Sequence, residues 1–85
     1  MRQILFDPNA IEDLEYWIKE NRKKALKILK LIQESGKDPF HGTGKPEPLK
    51  YELKGCCSRR IDQEHRLVYE VQKNIIRILA CQYHY

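Results

Sequence analysis

Residues 65–80, HRLVYEVQKNIIRILA, have the pattern of two β-strands joined by a short turn. Leu67, Tyr69 and Val71 recur at the two-residue period of a strand that buries one face. If QKN forms a three-residue loop, Val71 pairs with Ile75 and alternate residues point away from the core. The face away from the core is then predicted to carry Arg66, Val68, Glu70, Ile76, Ile78, Ala80, Gln82 and His84. A two-residue turn would exchange the faces of the second strand.

The preceding turn, DQE, extends this pattern toward the N-terminus. Pairing Ile61 with His65 places Arg60 directly beside Arg66, with Ser58 on the same face. Like charges opposite each other destabilise a sheet, so the two arginines need a carboxylate neighbour or an anionic ligand such as phosphate. The simpler alternative, surface arginines and a frayed terminal histidine, stays open on periodicity alone.

The N-terminal half predicts one strand and two amphipathic helices. QILF reads as a short strand, followed by Asp7 as an N-cap and Pro8 at the first helical position. A second helix is predicted from about residue 22 to 35, with Gly36 as its C-terminal cap. The predicted inward residues are Ala10, Ile11, Leu14, Trp17 and Ile18 in the first helix and Ala25, Ile28, Leu29 and Ile32 in the second. The outer face of the second helix is basic, with Lys23, Lys27 and Lys30.

Periodicity disappears over residues 37–48, KDPFHGTGKPEP, which predicts a loop. The alternation in LKYELK, residues 49–54, then predicts a further strand. The expected fold is a single α+β domain over residues 1–85. It has an N-terminal strand, two helices on one face of a mostly antiparallel sheet, and a C-terminal β-meander that leaves the other face uncovered.

Composition narrows the function class. The chain has 85 residues, with 16 Lys and Arg against 12 Asp and Glu, so its net charge is +4. A small basic domain favours polyanionic partners, and nucleic acid is preferred to a membrane because no apolar run is long enough to span a bilayer. The N-terminus lacks a secretory signal, and three cysteines, two of them adjacent, suggest reduced thiols. We therefore expect a cytoplasmic protein.

Other chemistries find little support in the sequence. His41, His65 and His84 lack metal-ligand spacing, and no Gly-rich phosphate loop follows a strand. Cys56 or Cys57 with a histidine is a conceivable nucleophilic pair, but nothing local activates the thiol. No metal site and no cofactor are expected.

Three motifs, GTGKPEPLK, CSRRIDQEHRLVYEV and CQYHY, carry a family resemblance. Through them the whole chain resembles the YoeB toxins, a branch of the RelE superfamily of ribosome-dependent mRNA endoribonucleases encoded with a partner antitoxin. The resemblance implies the fold of small microbial ribonucleases. It also implies metal-independent cleavage of mRNA in the ribosomal decoding site, which inhibits translation.

The resemblance also assigns roles to individual residues. Glu47 of KPEPL matches the general base, Arg66 of EHRLVY the phosphate-binding arginine, and His84 of YHY the general acid. Tyr85 matches a terminal tyrosine that supports the catalytic site. The residues expected to bind RNA are Lys45, Lys50, Arg59 and Arg60.

Partners follow from the same resemblance. It implies an antitoxin similar to YefM, the ribosome with its mRNA, and operator DNA bound only as the toxin–antitoxin complex. Self-association as a homodimer stays open, and so does a non-catalytic basic module that binds RNA or the ribosome. The chain departs from the family at Cys56 and Cys57, where aromatic residues are common, and at Gln82, where a basic residue is frequent.

Overall fold

The computed structural model describes residues 1–83, and within them two helices cover one face of a five-stranded sheet. The elements in chain order are β1 (Gln3–Phe6), α1 (Pro8–Glu20), α2 (Arg22–Lys37), β2 (Glu47–Pro48), a 3-10 turn (Tyr51–Leu53), β3 (Cys56–Arg60), β4 (Arg66–Val71) and β5 (Ile75–Ala80). The strand order is β1-β5-β4-β3-β2, with β1 parallel to β5 and the other neighbours antiparallel. The predicted α+β fold class, N-terminal strand and C-terminal meander are confirmed.

Side-chain caps fix the two helices. Asp7 begins α1 as predicted, since its Oδ2 accepts a hydrogen bond from the Asn9 N–H at 3.3 Å and a proline occupies the first helical position. Asn21 serves both helices. Its N–H donates to the Trp17 carbonyl at 2.8 Å, and its Oδ1 accepts from the Lys24 N–H at 3.2 Å. One residue therefore ends α1 and begins α2, and the helices form a tight hairpin.

The buried face of α1 is narrower than the predicted apolar face, and the buried face of α2 is displaced around the helix from the predicted one. The residues predicted to face inward but found exposed are Ile11, Ile18 and Leu29. In α2, Leu31 is buried in place of Leu29. Leu29 lies about 100° around the helix from the buried Ile28, whereas Leu31 lies only about 60° from it. The packed side of α2 therefore carries Ile28 and Leu31, and Leu29 lies on the side that stays in solvent.

Gly36 lies inside α2 and does not cap it, which corrects the sequence prediction. The helix continues to Lys37, and Asp38 is its C-cap. A Cβ at Gly36 would approach Ile4 Cδ1 to 3.1 Å and Met1 Cε to 3.2 Å. The glycine therefore lets the end of α2 pack closely on the N-terminal strand.

The alternating segment at residues 49–54 is not a strand, contrary to the prediction. β2 lies just before it, at Glu47–Pro48, and pairs with β3. Tyr51 has a left-handed φ of 59° and its side chain is 91% exposed, so the alternation is broken where the 3-10 turn begins. Three apolar residues at two-residue spacing are too few to distinguish a strand from such a turn.

The β4–β5 hairpin turns more tightly than predicted. Val71 pairs with Ile76 and not with Ile75, because the chain reverses over two residues. The Gln72 N–H donates to the Ile75 carbonyl at 2.9 Å and closes this turn. Ile76 and Ile78 consequently face the helices and are fully buried, whereas the longer loop would have placed them on the opposite face.

A β-bulge then reverses the effect of the tighter turn. Tyr69 pairs with Ile78, but Val68 pairs with Ala80, so β5 contains one extra residue at this point. Ala80 thereby returns to the face of Arg66, as predicted. The predicted loop was one residue too long, and the bulge adds one residue to β5. The two differences cancel, so the predicted face of Ala80 is correct.

The sheet face opposite the helices, called the second face below, is only partly open. Its residues include Glu47, Cys56, Ser58, Arg60, Arg66, Val68, Glu70, Arg77 and Ala80. Ser58 and Val68 are buried, whereas Glu47 and Arg60 are exposed. In residues 1–83 no helix is long and apolar enough to cross a bilayer.

Candidate active site

Two arginines lie side by side on the second face. Arg60 of β3 and Arg66 of β4 are directly paired residues, which confirms the register predicted across the DQE turn. The Ile61 N–H donates to the His65 carbonyl at 3.0 Å and closes that turn. Arg60 is exposed, whereas the Arg66 side chain is only 19% exposed. Positive charge is therefore concentrated at one end of the β3–β4 ladder.

A carboxylate lies next to this pair. Glu47 Oε1 is 3.7 Å from Arg66 Nη1, close enough for an ion pair and too far for a hydrogen bond. Arg66 Nη1 is buried and has no hydrogen-bond partner within residues 1–83. Buried donors of this kind are rare in folded proteins, and a guanidinium donor fits an oxygen of an anionic ligand.

The segment before β2 holds Glu47 in place. Glu47 lies between two prolines and pairs with Ser58, and its side chain is 57% exposed. The Gly44 carbonyl accepts a hydrogen bond from the Arg60 N–H at 2.7 Å. A Cβ at Gly44, which has φ 86°, would lie 3.0 Å from the Arg60 carbonyl oxygen. The fixed φ of the two prolines and the close packing of Gly44 against Arg60 restrict the backbone that carries the Glu47 carboxylate.

Arg59 does not belong to the RNA-binding set, contrary to the prediction. Its side chain is fully buried on the helix side of the sheet. Nε donates to Tyr69 Oη at 3.0 Å, Nη1 donates to the Thr43 carbonyl at 3.1 Å, and Nη2 donates to the carbonyls of Asp38 and His41 at 2.6 and 2.9 Å. Arg59 therefore organises the loop that leads to Glu47, and no part of it is available to RNA.

A basic cleft lies beside the paired arginines. Its volume is about 380 Å³, and its wall carries three cationic side chains and one carboxylate: Lys27, Lys45, Arg60 and Asp62. Lys27 Nζ donates to the Ile61 carbonyl at 2.5 Å, so α2 contributes to the same surface. The sequence showed Lys27 only as one member of a basic helix face, because its proximity to Lys45 depends on tertiary packing. Lys50 is exposed beyond β2.

The turn next to this cleft is stabilised by Asp62. Burial disfavours its ionised form, but the Lys24 ammonium and the N–H groups of His65 and Glu64 outweigh this and lower the pKa of Asp62 to about 2. Lys24 and Asp62 form an ion pair between α2 and the turn. The carboxylate thus connects the helix hairpin to the strands that carry the two arginines.

Side chains of α1 and of the turn before β4 form hydrogen bonds with the main chain of the last described residues. Trp17 Nε1 donates to the Cys81 carbonyl at 2.7 Å, and the Cys81 N–H donates to Asp13 Oδ2 at 3.0 Å. The Tyr83 N–H donates to His65 Nδ1 at 2.7 Å. The predicted general acid His84 and its supporting residue Tyr85 lie outside the described residues.

The cysteines are poorly suited to nucleophilic chemistry. Cys56, Cys57 and Cys81 are buried free thiols. Burial raises the pKa of each, and for Cys81 burial together with the nearby Asp13 carboxylate raises it to about 12. A protonated thiol is a weak nucleophile, so the alternative pairing of a cysteine with a histidine loses support. Within residues 1–83 no group of three His, Cys, Asp or Glu side chains is arranged to hold a metal ion.

Sequence comparison finds similarity along the whole chain. The family described as YoeB-like toxin of bacterial type II toxin-antitoxin system matches residues 6–85. The toxin YoeB of Mycobacterium bovis is 52% identical over 85 residues, covering 100% of both chains.

Solved structures show the same similarity in three dimensions. The YoeB dimer from Staphylococcus aureus has a TM-score of 0.89 at 45% identity, over 99% of this chain and 98% of that chain. The heterotetrameric complex of YoeB-YefM toxin-antitoxin from Staphylococcus aureus has a TM-score of 0.88 at 44% identity, over 100% of this chain and 99% of that chain. The likeness therefore includes the strands and the loop that carry the candidate site.

Proposed function

The chain belongs to the YoeB-like toxins of bacterial type II toxin–antitoxin systems, and on this premise we propose that it is a ribosome-dependent mRNA endoribonuclease. It cuts mRNA in the ribosomal decoding site by metal-independent acid–base catalysis and so inhibits translation. The observation that carries the proposal is Arg66 Nη1, a buried donor without a hydrogen-bond partner among residues 1–83 that lies beside the Glu47 carboxylate.

Glu47 acts as the general base. Its carboxylate takes the proton of a ribose 2′-OH, the freed oxygen attacks the adjacent phosphorus, and the bond from phosphorus to the 5′-oxygen breaks in line. The exposed side chain and the rigid Pro-Glu-Pro segment support this role, because the base can reach the substrate at little ordering cost. The products are a 2′,3′-cyclic phosphate and a 5′-hydroxyl.

Arg66 stabilises the charge that develops on the phosphorane oxygens. Fixed donors have their largest effect where charge builds up in the transition state, and the Arg66 side chain is held largely out of solvent. A phosphate oxygen at Nη1 would complete its hydrogen bonding. Arg60, paired with Arg66, adds a second positive charge from the exposed edge.

His84 acts as the general acid, and Tyr85 supports it. A histidine holds or releases a proton near neutral pH, so it can protonate the departing 5′-oxygen. These two assignments rest on the YHY motif at the end of the sequence. The RNA backbone is held by Lys45, Lys50 and Arg60, and the position of Lys27 in the same cleft adds it to this set.

The protein acts in the cytoplasm on the ribosome and its mRNA, and an antitoxin similar to YefM neutralises it. The net charge of +4 fits an acidic, partly disordered antitoxin segment that folds on binding. Operator DNA is bound only by the toxin–antitoxin complex. Because the relative from Staphylococcus aureus is described as a dimer, a homodimer is the oligomer to test for in solution.

The decisive experiment incubates the protein with programmed ribosomes and maps the cut sites together with the chemistry of their ends. We expect cleavage in the decoding site with 2′,3′-cyclic phosphate and 5′-hydroxyl ends, and much slower cleavage of the same RNA without ribosomes. Binding to ribosomes with no cleavage under any condition would replace the enzyme with a non-catalytic ribosome-binding module.

A further inference from the structure

His65 is the one buried histidine among residues 1–83, and it is 8% exposed. Its ring stands edge-on to the Trp17 indole, with centroids 4.8 Å apart. Asp62 Oδ1 accepts a hydrogen bond from the His65 N–H at 2.6 Å and fixes the backbone of the same turn. Sequence and tertiary contacts therefore hold the imidazole in a single orientation at the start of β4.

The hydrogen bonding of His65 defines its tautomer. The Tyr83 main-chain N–H can only donate, and it lies 2.7 Å from Nδ1. Nδ1 must therefore be unprotonated, which leaves the ring proton on Nε2, where Glu64 Oε1 lies 3.5 Å away. The imidazole acts here as a neutral acceptor.

A second bond completes a clamp on Tyr83. The Arg66 N–H donates to the Tyr83 carbonyl at 3.2 Å, so the adjacent residues His65 and Arg66 bind both main-chain polar groups of Tyr83. Tyr83 has a left-handed φ of 66°, a conformation that a tyrosine adopts only when its surroundings impose it. The hydrogen bonds of Asp13 and Trp17 to Cys81 hold the chain two residues earlier.

We propose that His65 is a positioning residue: it anchors the Tyr83 backbone through Nδ1, and cleavage depends on this anchor because the proposed acid, His84, is the next residue in the sequence. This inference rests on the proposed function. The turn that leads into Arg66, the proposed phosphate-binding residue, therefore also holds Tyr83, the residue that precedes the proposed acid in the sequence.

Two substitutions at His65 separate the acceptor from the ring. His65→Phe keeps the aromatic contact with Trp17 and removes the acceptor. His65→Asn loses the ring and keeps an oxygen near the position of Nδ1. His41→Phe is the matched control, because His41 is exposed on a loop.

The rate of cleavage is measured with programmed ribosomes, the substrate, at saturating and at limiting concentration. We expect His65→Phe to lower kcat roughly 100-fold with KM changed by less than about twofold, because a displaced acid slows the chemical step without weakening docking. His65→Asn is expected to keep kcat within about tenfold of the original protein, and His41→Phe to leave it unchanged. Full activity of His65→Phe, or an equal loss in both His65 variants, would overturn the proposal.

A spectroscopic measurement on the original protein tests the clamp without any variant. Imidazole nitrogen NMR should show His65 as the Nε2–H tautomer, and hydrogen exchange should show a protected Tyr83 amide. An Nδ1–H tautomer or an unprotected amide would refute the anchor. If the original protein does not cut mRNA on ribosomes, the proposed function fails, while these two measurements still decide whether His65 holds Tyr83.

Discussion

Glu47 Oε1 and Arg66 Nη1 lie 3.7 Å apart across the intervening strand β3. At this distance the carboxylate offsets the charge of the paired arginines without occupying the hydrogen-bonding capacity of Nη1. The proposed base and the proposed phosphate-binding group thus neighbour each other, and Arg66 Nη1 is left for a ligand. The spacing suits a substrate whose nucleophilic hydroxyl and phosphate are adjacent, as in RNA.

Glu47→Gln should slow cleavage on programmed ribosomes by at least about 100-fold, because an amide cannot accept the 2′-hydroxyl proton. Ribosome binding should persist, since the Lys45 and Arg60 side chains are retained. The measurement is the single-turnover rate together with ribosome co-sedimentation.

Glu52→Gln is the matched control for this change, since Glu52 is an exposed carboxylate in the 3-10 turn. It should cleave at the original rate. Equal rates for the Glu47 and Glu52 variants would remove the general base from the mechanism.

Substitution of Arg59 by methionine should destabilise the fold much more than the same substitution of Arg60. Arg59→Met leaves three main-chain carbonyls and the Tyr69 hydroxyl without their donor in the interior, and should lower the free energy of unfolding by about 3 kcal/mol. Arg60→Met should change it by less than about 0.5 kcal/mol, because Arg60 is exposed. Urea unfolding of both variants measures the difference.

RNA binding should show the reverse: the Arg60 variant should be affected and the Arg59 variant should not. Arg60→Met removes a cation from the cleft, so the slope of log affinity against log salt for single-stranded RNA should fall by about 1. Folded Arg59→Met should retain the original slope. A reduced slope for Arg59→Met alone would place Arg59 on the RNA side after all.

Acid should weaken the fold through Asp62. Its pKa is lowered from 3.8 to about 2, so its stabilising effect is complete above the unfolded value and is lost as the pH falls through the folded value. The side chain is 23% exposed, and the shift corresponds to about 2 kcal/mol at neutral pH. Asp62→Asn should therefore unfold at lower urea near pH 7 and show a flatter decline between about pH 4 and pH 2.

Glu15→Gln, an exposed change on α1, should keep the original pH dependence. The contribution of Asp62 would be refuted if its asparagine variant showed the same stability and the same acid slope as the original protein. Because Asn can still accept the N–H bonds of the turn, the comparison isolates the negative charge of Asp62, which acts on Lys24 and on those N–H groups.

The sequence predicted correctly those elements that are determined by a few consecutive residues. Asp7 and its proline fixed the start of α1, and the DQE turn fixed the pairing of Arg60 with Arg66. The register of β5 could not be predicted in the same way, because it depends on a two-residue turn and a bulge that compensate each other. Neither feature has a distinctive sequence signature.

The burial of Arg59 illustrates a second limit of sequence reasoning. The SRR motif contains two adjacent arginines, Arg59 and Arg60. Only the alternation of side chains along the strand distinguishes Arg59, which faces the helices, from Arg60. A buried arginine is unusual enough that composition favours an exposed, RNA-binding role. Its actual partners are main-chain carbonyls of a loop, and such partners carry no residue-type signal.

The parallel pairing of β1 with β5 has a consequence for how the protein is made. Gln3 pairs with Ile75, so β1 cannot pair until a strand that lies 72 residues later in the chain has been synthesised. The β3–β4 hairpin can form early, but the sheet that supports it closes only after β5 has emerged. A nascent chain would therefore hold Arg60 and Arg66 in a partly built framework, and the complete sheet would form only after β5 has been synthesised.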